Sequence, residues 1–160
     1  MSDDAAAGQQ VAPPPQSPPA TRHVIVVGFG LSGRSVVNSV IEQHISYTVI
    51  ETNPVTVNRC IPGGLKIIQG DARKPDILRR AGIDRATDVA VTMPNDSIVL
   101  EVVRQAKHMN PAVRIIARCT FVSDGMEAHK QGADETVIAE KIVASEFGRI
   151  INASLAHNKP

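Results

Sequence analysis

An apolar, β-branched run, Val24-Ile25-Val26-Val27, passes directly into the glycine pattern Gly28-Phe29-Gly30-Leu31-Ser32-Gly33. Such a run reads as a buried strand. G-x-G-x-x-G at its end fits a tight turn into a helix. Leu31, Val36, Val37, Val40 and Ile41 then recur at helical spacing over residues 31–43. Tyr47-Thr48-Val49-Ile50 reads as a second strand, and it closes on an acid, Glu51. Strand, glycine turn, helix and acid-tipped strand make one βαβ unit, and no other feature constrains the fold as strongly.

The alternation continues to the end of the chain. Helices are expected over 54–60, 75–81, 95–108, 121–130 and 139 to about 154. Strands are expected over 66–69, 88–92, 113–118 and 136–138. Pro54 and Pro75 suit first helical turns, and Gly132 suits a C-terminal cap. Strands alternating with helices imply right-handed crossovers. The expected fold is α/β, a Rossmann-like doubly wound parallel sheet of about six strands, order 3-2-1-4-5-6, with helices on both faces. Only Phe29, Tyr47, Phe121 and Phe147 are aromatic, so the core must be aliphatic, as parallel sheets prefer. Residues 1–21 are Ala/Gln/Pro-rich and read as a disordered tail, 22–154 as the folded domain, and 155–160 as a C-terminal tail.

The loop residues Gly28, Phe29, Gly30, Leu31, Ser32 and Gly33 are the first candidates for a ligand contact. Gly28 permits the turn, Gly30 lets backbone approach a phosphate, and Gly33 lets helix and strand pack closely. The helix N-terminus offers free N–H groups and partial positive charge. Glu51, followed by Thr52, stands where a carboxylate would accept ribose hydroxyls. No Lys or Arg adjoins it, so a 2′-phosphate meets an unneutralised carboxylate and NADP is disfavoured. The turn Gly70-Asp71-Ala72 follows the third strand, on the adenosine side; Asp71 could equally be a turn or cap residue. Thr92, Asn95 and Asp96 follow the fourth strand near the switch point, where Asn95 or Asp96 could instead cap a helix. Arg118 ends the fifth strand and suits a phosphate or a structural ion pair.

Several functions are disfavoured. The formal charge of +1 supplies no field for nucleic acid or an anionic membrane. No apolar run approaches the ~20 residues of a membrane span. With no secretory signal visible, the cytoplasm is the expected location, peripheral to the inner membrane if a transporter is the partner. Cys60 and Cys119 read as reduced thiols. The five histidines, His23, His44, His108, His129 and His157, are dispersed and read as surface residues. No catalytic or metal-binding arrangement stands out.

His23 to Gly33, Val49 to Pro54, Gly70-Asp71-Ala72, Asp88 to Asn95, Ile115 to Arg118 and Gly132 to Asp134 together resemble the TrkA-N family, also called the KTN domain or RCK N-lobe, of potassium channel and transporter regulators. The style is similar to the Kef-type antiporter branch. The resemblance covers residues 22–152. It implies a non-enzymatic regulatory domain that binds AMP or NAD(H), or ADP or ATP, dimerises, and controls a membrane cation channel or antiporter. By the same resemblance Gly28, Gly30, Gly33 and Arg118 would serve phosphate, Glu51 the ribose and Asp71 the adenosine. Leu31 stands where many members carry Arg, which favours AMP or NAD(H) over ATP. No C-terminal lobe or membrane segment is recognisable, which suggests a separate subunit or a free-standing relative. A small NAD-dependent oxidoreductase, an inactive relative of one, and an interaction domain without ligand are the competing readings.

The final helix carries Ile142, Val143, Phe147, Ile150 and Ile151. One face of it is expected to cover the sheet beside the sixth strand. The remaining apolar surface suggests a homodimer.

Overall fold

The computed structural model describes residues 21–157; the expected N-terminal tail, apart from Thr21, and residues 158–160 lie outside the described residues. Six strands, β1 (His23–Val27), β2 (Ser46–Glu51), β3 (Ile67–Gln69), β4 (Asp88–Val91), β5 (Arg114–Cys119) and β6 (Glu135–Ile138), form one sheet. Its order is β3-β2-β1-β4-β5-β6, and every pairing is parallel. This is the doubly wound order read from the alternation. The helices are α1 (Leu31–Glu42), α2 (Pro54–Cys60), α3 (Pro75–Ala81), α4 (Asp96–Met109), α5 (Val122–Gln131) and α6 (Ala139–His157).

Helix boundaries follow local chemistry. Asn53 and Asn95 cap α2 and α4, their side chains accepting the N–H of Val55 and Ile98. Gly82 and Gly132 end α3 and α5 at φ 89° and 111°, where a Cβ would be strained.

The two faces of the sheet are covered unequally. Against α3, α4 and α5 pack Ile25, Val27, Ile50, Val89, Val91, Ile115 and Ala117, in a cluster of twenty-one buried residues. Val24, Val26, Val49 and Ile67 pack against Val37, Val40 and Val57 of α1 and α2, in a cluster of nine. Burying each Val, Leu or Ile side chain contributes about 1.5–3 kcal/mol, so most apolar stabilisation lies on the first face. The second face is short of cover because α6 does not lie on it. Residues 140–156 are exposed throughout. That corrects the expectation that one side of this helix would cover the sheet. Helical periodicity identifies an apolar stripe but not what the stripe touches. The helix also runs to His157, past the expected end near Ser154.

A second correction concerns His23, which is buried and not on the surface. Its ring nitrogens lie 3.0 Å from Ser46 Oγ and 2.8 Å from the Ala81 carbonyl oxygen. Both polar ends of the imidazole are therefore satisfied at the N-terminal edge of the sheet, far along β1 from the glycine loop.

Candidate nucleotide site

At the C-terminal edge of the sheet, β1 and β4 are neighbours whose following helices, α1 and α4, lie on opposite faces. The loops diverge there and leave a crevice at the switch point, where open α/β sheets bind ligands. The crevice measures about 270 Å³. Gly28, Phe29, Gly30, Glu51, Thr52, Ala72, Thr92 and Asn95 line it, all anticipated from sequence. Gly70, of the turn expected on the adenosine side, lines it too, as do Val27, Ile50, Met93, Pro94 and Ile98, which were not anticipated. Met93 and Pro94 belong to the loop after β4. Their nearness to the glycine pattern depends on the pairing of β1 with β4, which no local motif announces.

The three glycines do different work. Gly28 has φ 93°, and its N–H donates to the Ile50 carbonyl at 2.9 Å. A Cβ on Gly33 would stand 2.1 Å from the Gly28 carbonyl oxygen, so α1 can pack on the loop only with glycine there. Gly30 has an ordinary φ of −76°, and a Cβ there meets nothing within 4 Å. The fold does not need glycine at 30; the open space in front of it does. No side chain caps α1 at Gly30, so the first-turn N–H groups have no partner within the helix. Together with the helix dipole they form a seat for an anion.

Thr92 clamps this loop. Its hydroxyl stands 3.0 Å from both the Val27 and Gly28 carbonyl oxygens and donates to them, while its N–H donates to Val27 at 2.9 Å.

Glu51 supplies the negative wall. Its carboxylate accepts the N–H of Phe29 and of Asn53, each at 2.9 Å, and the Thr52 hydroxyl at 3.3 Å. Burial raises its pKa, but these hydrogen bonds outweigh burial and hold the carboxyl below its ordinary value. Glu51 is therefore ionised at neutral pH. Its two oxygens have about four acceptor directions, which leaves room for a hydroxyl donor.

The other expected residues stand elsewhere. Asp71 adjoins the crevice but does not line it. Arg73 takes its carboxylate through Nε and Nη2, at 3.1 and 2.7 Å, and those bonds hold Asp71 below its ordinary pKa. Arg73 also approaches Glu101 of α4 at 3.6 Å. Leu31, Ser32 and Arg118 line a different cavity, a groove of about 610 Å³ between α1 and α6 over the open sheet face. Strand alternation explains Arg118: Ala117 and Cys119 point into the larger core, so Arg118 points the other way. Leu31 is 90% exposed. Thr92 lines both cavities, and the glycine loop is the wall between them. Arg34, not anticipated, sits over the Phe29 ring at 5.3 Å.

Among the described residues, no group of three or more His, Cys, Asp or Glu side chains is placed to hold a metal ion. None of the described helices is long and apolar enough to cross a membrane.

A parallel six-stranded sheet with a glycine-walled crevice at its switch point, and an ionised acid beside it, defines a Rossmann-type domain of the kind that receives nucleotides. The TrkA-N domain model matches residues 24–139, and the chain belongs to that family. The Escherichia coli (strain K12) protein YbaL is 28% identical over 122 residues, which cover 76% of this chain and 22% of YbaL. A glutathione-regulated potassium-efflux system protein of Haemophilus influenzae is 30% identical over 112 residues, covering 70% of this chain and 18% of that protein. The chain thus spans about a fifth of the length of these relatives. Among solved structures, the TrkA-N domain of the E. coli inner membrane protein YbaL superposes with a TM-score of 0.76 at 26% identity, over 81% of this chain and 96% of that one. The same fold recurs in GsuK bound to NAD (TM-score 0.75, 23% identity, 88% of this chain and 25% of that one). It recurs again in an AMP-bound Kef C-terminal domain from Shewanella denitrificans (TM-score 0.72, 22% identity, 86% and 82%).

Proposed function

We propose that this domain is a regulatory sensor that binds AMP, ADP or NAD(H) in the crevice and controls a membrane cation channel or antiporter. The observation that carries the reading is the pairing of an open anion seat at Gly30 with an ionised Glu51 bonded to the same loop at Phe29. The seat takes a phosphate and Glu51 takes a ribose hydroxyl. A 2′-phosphate would meet Glu51 with no adjacent Lys or Arg to neutralise it, so NADP(H) binds more weakly. The volume, about 270 Å³, lies near the small end of ligand pockets, roughly 300–1,000 Å³, and favours a mononucleotide or the AMP half of NAD(H). That related folds carry AMP and NAD supports this choice. Relatives that include a potassium channel and a potassium-efflux protein support the transport role.

The domain works as a homodimer held by α6. Ile142, Val143, Phe147, Ile150, Ile151 and Leu155 form its apolar stripe, each about half exposed or more. A contiguous apolar surface of that extent marks an interaction site. Because the glycine loop separates the crevice from the groove under α6, a nucleotide that favours one position of the loop also favours one arrangement of the dimer.

Mass spectrometry of small molecules released by denaturing the purified protein tests the ligand. AMP, ADP or NAD(H) is expected. Recovery of NADP(H) as the main species would overturn the assignment of Glu51.

A further inference from the structure

Beyond Glu51 the crevice is lined by Gly70 and Ala72, from the turn after β3, and by Pro94 and Ile98, from the loop after β4 and the first turn of α4. Gly70 adjoins Glu51, its N–H donating to the Glu51 carbonyl oxygen at 3.0 Å. A nucleotide seated on Gly30 and Glu51 therefore carries its base toward Ala72 and Ile98. Between Gly70 and Ala72 stands Asp71, a carboxylate that would accept a hydrogen bond from an exocyclic amine if it turned inward. It does not line the crevice, and Arg73 is the reason. Three N–H groups of Arg73 make four contacts to it: the backbone N–H donates to Oδ1 at 3.0 Å, Nε to both oxygens at 3.1 Å, and Nη2 to Oδ2 at 2.7 Å. A carboxylate has about four acceptor directions, so none is left for a ligand. Arg73 Nη1 also reaches toward Glu101 at 3.6 Å. Glu101 is three residues from Ile98, on the same face of α4. The bridge thus ties together the two elements that wall the base end.

We propose that Arg73 sets the base selectivity of the crevice: by engaging Asp71 it withholds the acceptor that would favour a 6-amino group, so 6-amino and 6-oxo purine nucleotides bind alike. This rests on the nucleotide reading above and assigns Asp71 to Arg73 instead of the adenosine. Adenine presents an N–H donor at its 6-position, and hypoxanthine presents an oxygen acceptor there. A free carboxylate would reward the first and repel the second. A carboxylate already engaged by a guanidinium does neither. Exposed ion pairs are individually weak, but a forked arginine in a network of charges is the exception. Here Arg73 and Asp71 are two residues apart in one turn, which keeps the entropic cost of pairing small, and Glu101 attracts the guanidinium from the other side. The base end is left with an apolar slot that any purine face can occupy.

Calorimetric titration of the nucleotide-free full chain with AMP and with inosine monophosphate, which differ only at the 6-position and N1 of the base, tests this. Wild type is expected to bind the two within about threefold of each other. Arg73→Ala frees Asp71 and is expected to raise the preference for AMP to about tenfold, the worth of one hydrogen bond to a charged group. Arg73→Gln, which keeps a polar stem without the fork, is expected to move the ratio in the same direction. Arg73→Ala combined with Asp71→Ala should return the ratio to that of wild type. Circular dichroism confirms that each variant is folded. A wild-type preference for AMP of about tenfold or more would show that Asp71 reads the base despite Arg73, and would overturn the proposal. So would an unchanged ratio in Arg73→Ala, or a double variant that keeps the AMP preference. If wild type binds neither nucleotide, the crevice reading itself fails and the role of Arg73 fails with it.

Discussion

The crevice at the glycine loop and the groove beneath α6 share a wall and differ in every other respect. In the crevice the polar groups are already organised: Glu51 accepts three hydrogen bonds, Thr92 clamps two carbonyls, and Gly28 and Gly33 fit each other's backbone. In the groove Val137 of β6 and the apolar stripe of α6 stand exposed, and a buried guanidinium nitrogen lacks a partner among the described residues. A site preorganised within one chain binds a small ligand at little conformational cost. A mutation in either region should therefore act first on its own contacts and reach the other only through the loop between them.

The largest effect on stability should come from the shared wall. Gly33→Ala places a Cβ 2.1 Å from the Gly28 carbonyl oxygen. Backbone must shift, at a cost of about 3 kcal/mol, with the thermal midpoint lower by roughly 10 °C. Differential scanning calorimetry reads this. A midpoint within 2 °C of wild type would show that α1 does not pack on the loop as described.

A smaller and more selective change is expected from Thr92→Val, which preserves shape and removes the hydroxyl. The Val27 carbonyl keeps the N–H of residue 92, but the Gly28 carbonyl loses its donor. About 1 kcal/mol of stability and a several-fold loss of AMP affinity should follow, both restored by Thr92→Ser. If Ser fails to restore them, the methyl group and not the hydroxyl holds the loop.

The pH response is the mildest test. Glu51, Asp71 and Asp134 all have carboxyl pKa values below their ordinary ones. Such groups bind protons less readily folded than unfolded. Their stabilisation is full above the unfolded carboxylate range, near pH 4, and is lost as pH falls through the lower folded values. Thermal midpoints should therefore be flat from pH 7 to about 5 and then fall, less steeply in Glu51→Gln than in wild type. An identical slope in both would mean that the bonds to Glu51 do not survive in solution.

How much of this the sequence disclosed also divides along the two regions. Sheet order and the glycine loop were legible because they rest on short-range chemistry: β-branched runs, fixed glycine spacing, and an acid at a strand end. Eight anticipated residues line the crevice for that reason. Met93 and Pro94 were missed because they reach it only through the β1–β4 pairing. The groove was illegible for a different reason. Amphipathic spacing in residues 139–154 shows that a face must be buried but not against which surface, so α6 was expected on its own sheet. His23 looked like a surface residue because nothing local reveals that Ser46 and Ala81 would meet both ring nitrogens. Arg118 could be placed at a strand end, but its face depended on the phase of β5.

The central claim is that the crevice, through Gly30 and Glu51, binds adenine nucleotides lacking a 2′-phosphate. Calorimetric titration of nucleotide-free protein with AMP, NADH and NADPH, on wild type and Gly30→Val, tests it most directly. Val at 30 fills only open space, so the variant should fold normally by circular dichroism. Wild type should bind AMP or NADH at least tenfold more tightly than NADPH, and Gly30→Val should bind none of them measurably. NADPH affinity equal to that of NADH, or unchanged binding in a folded Gly30→Val protein, would contradict the account.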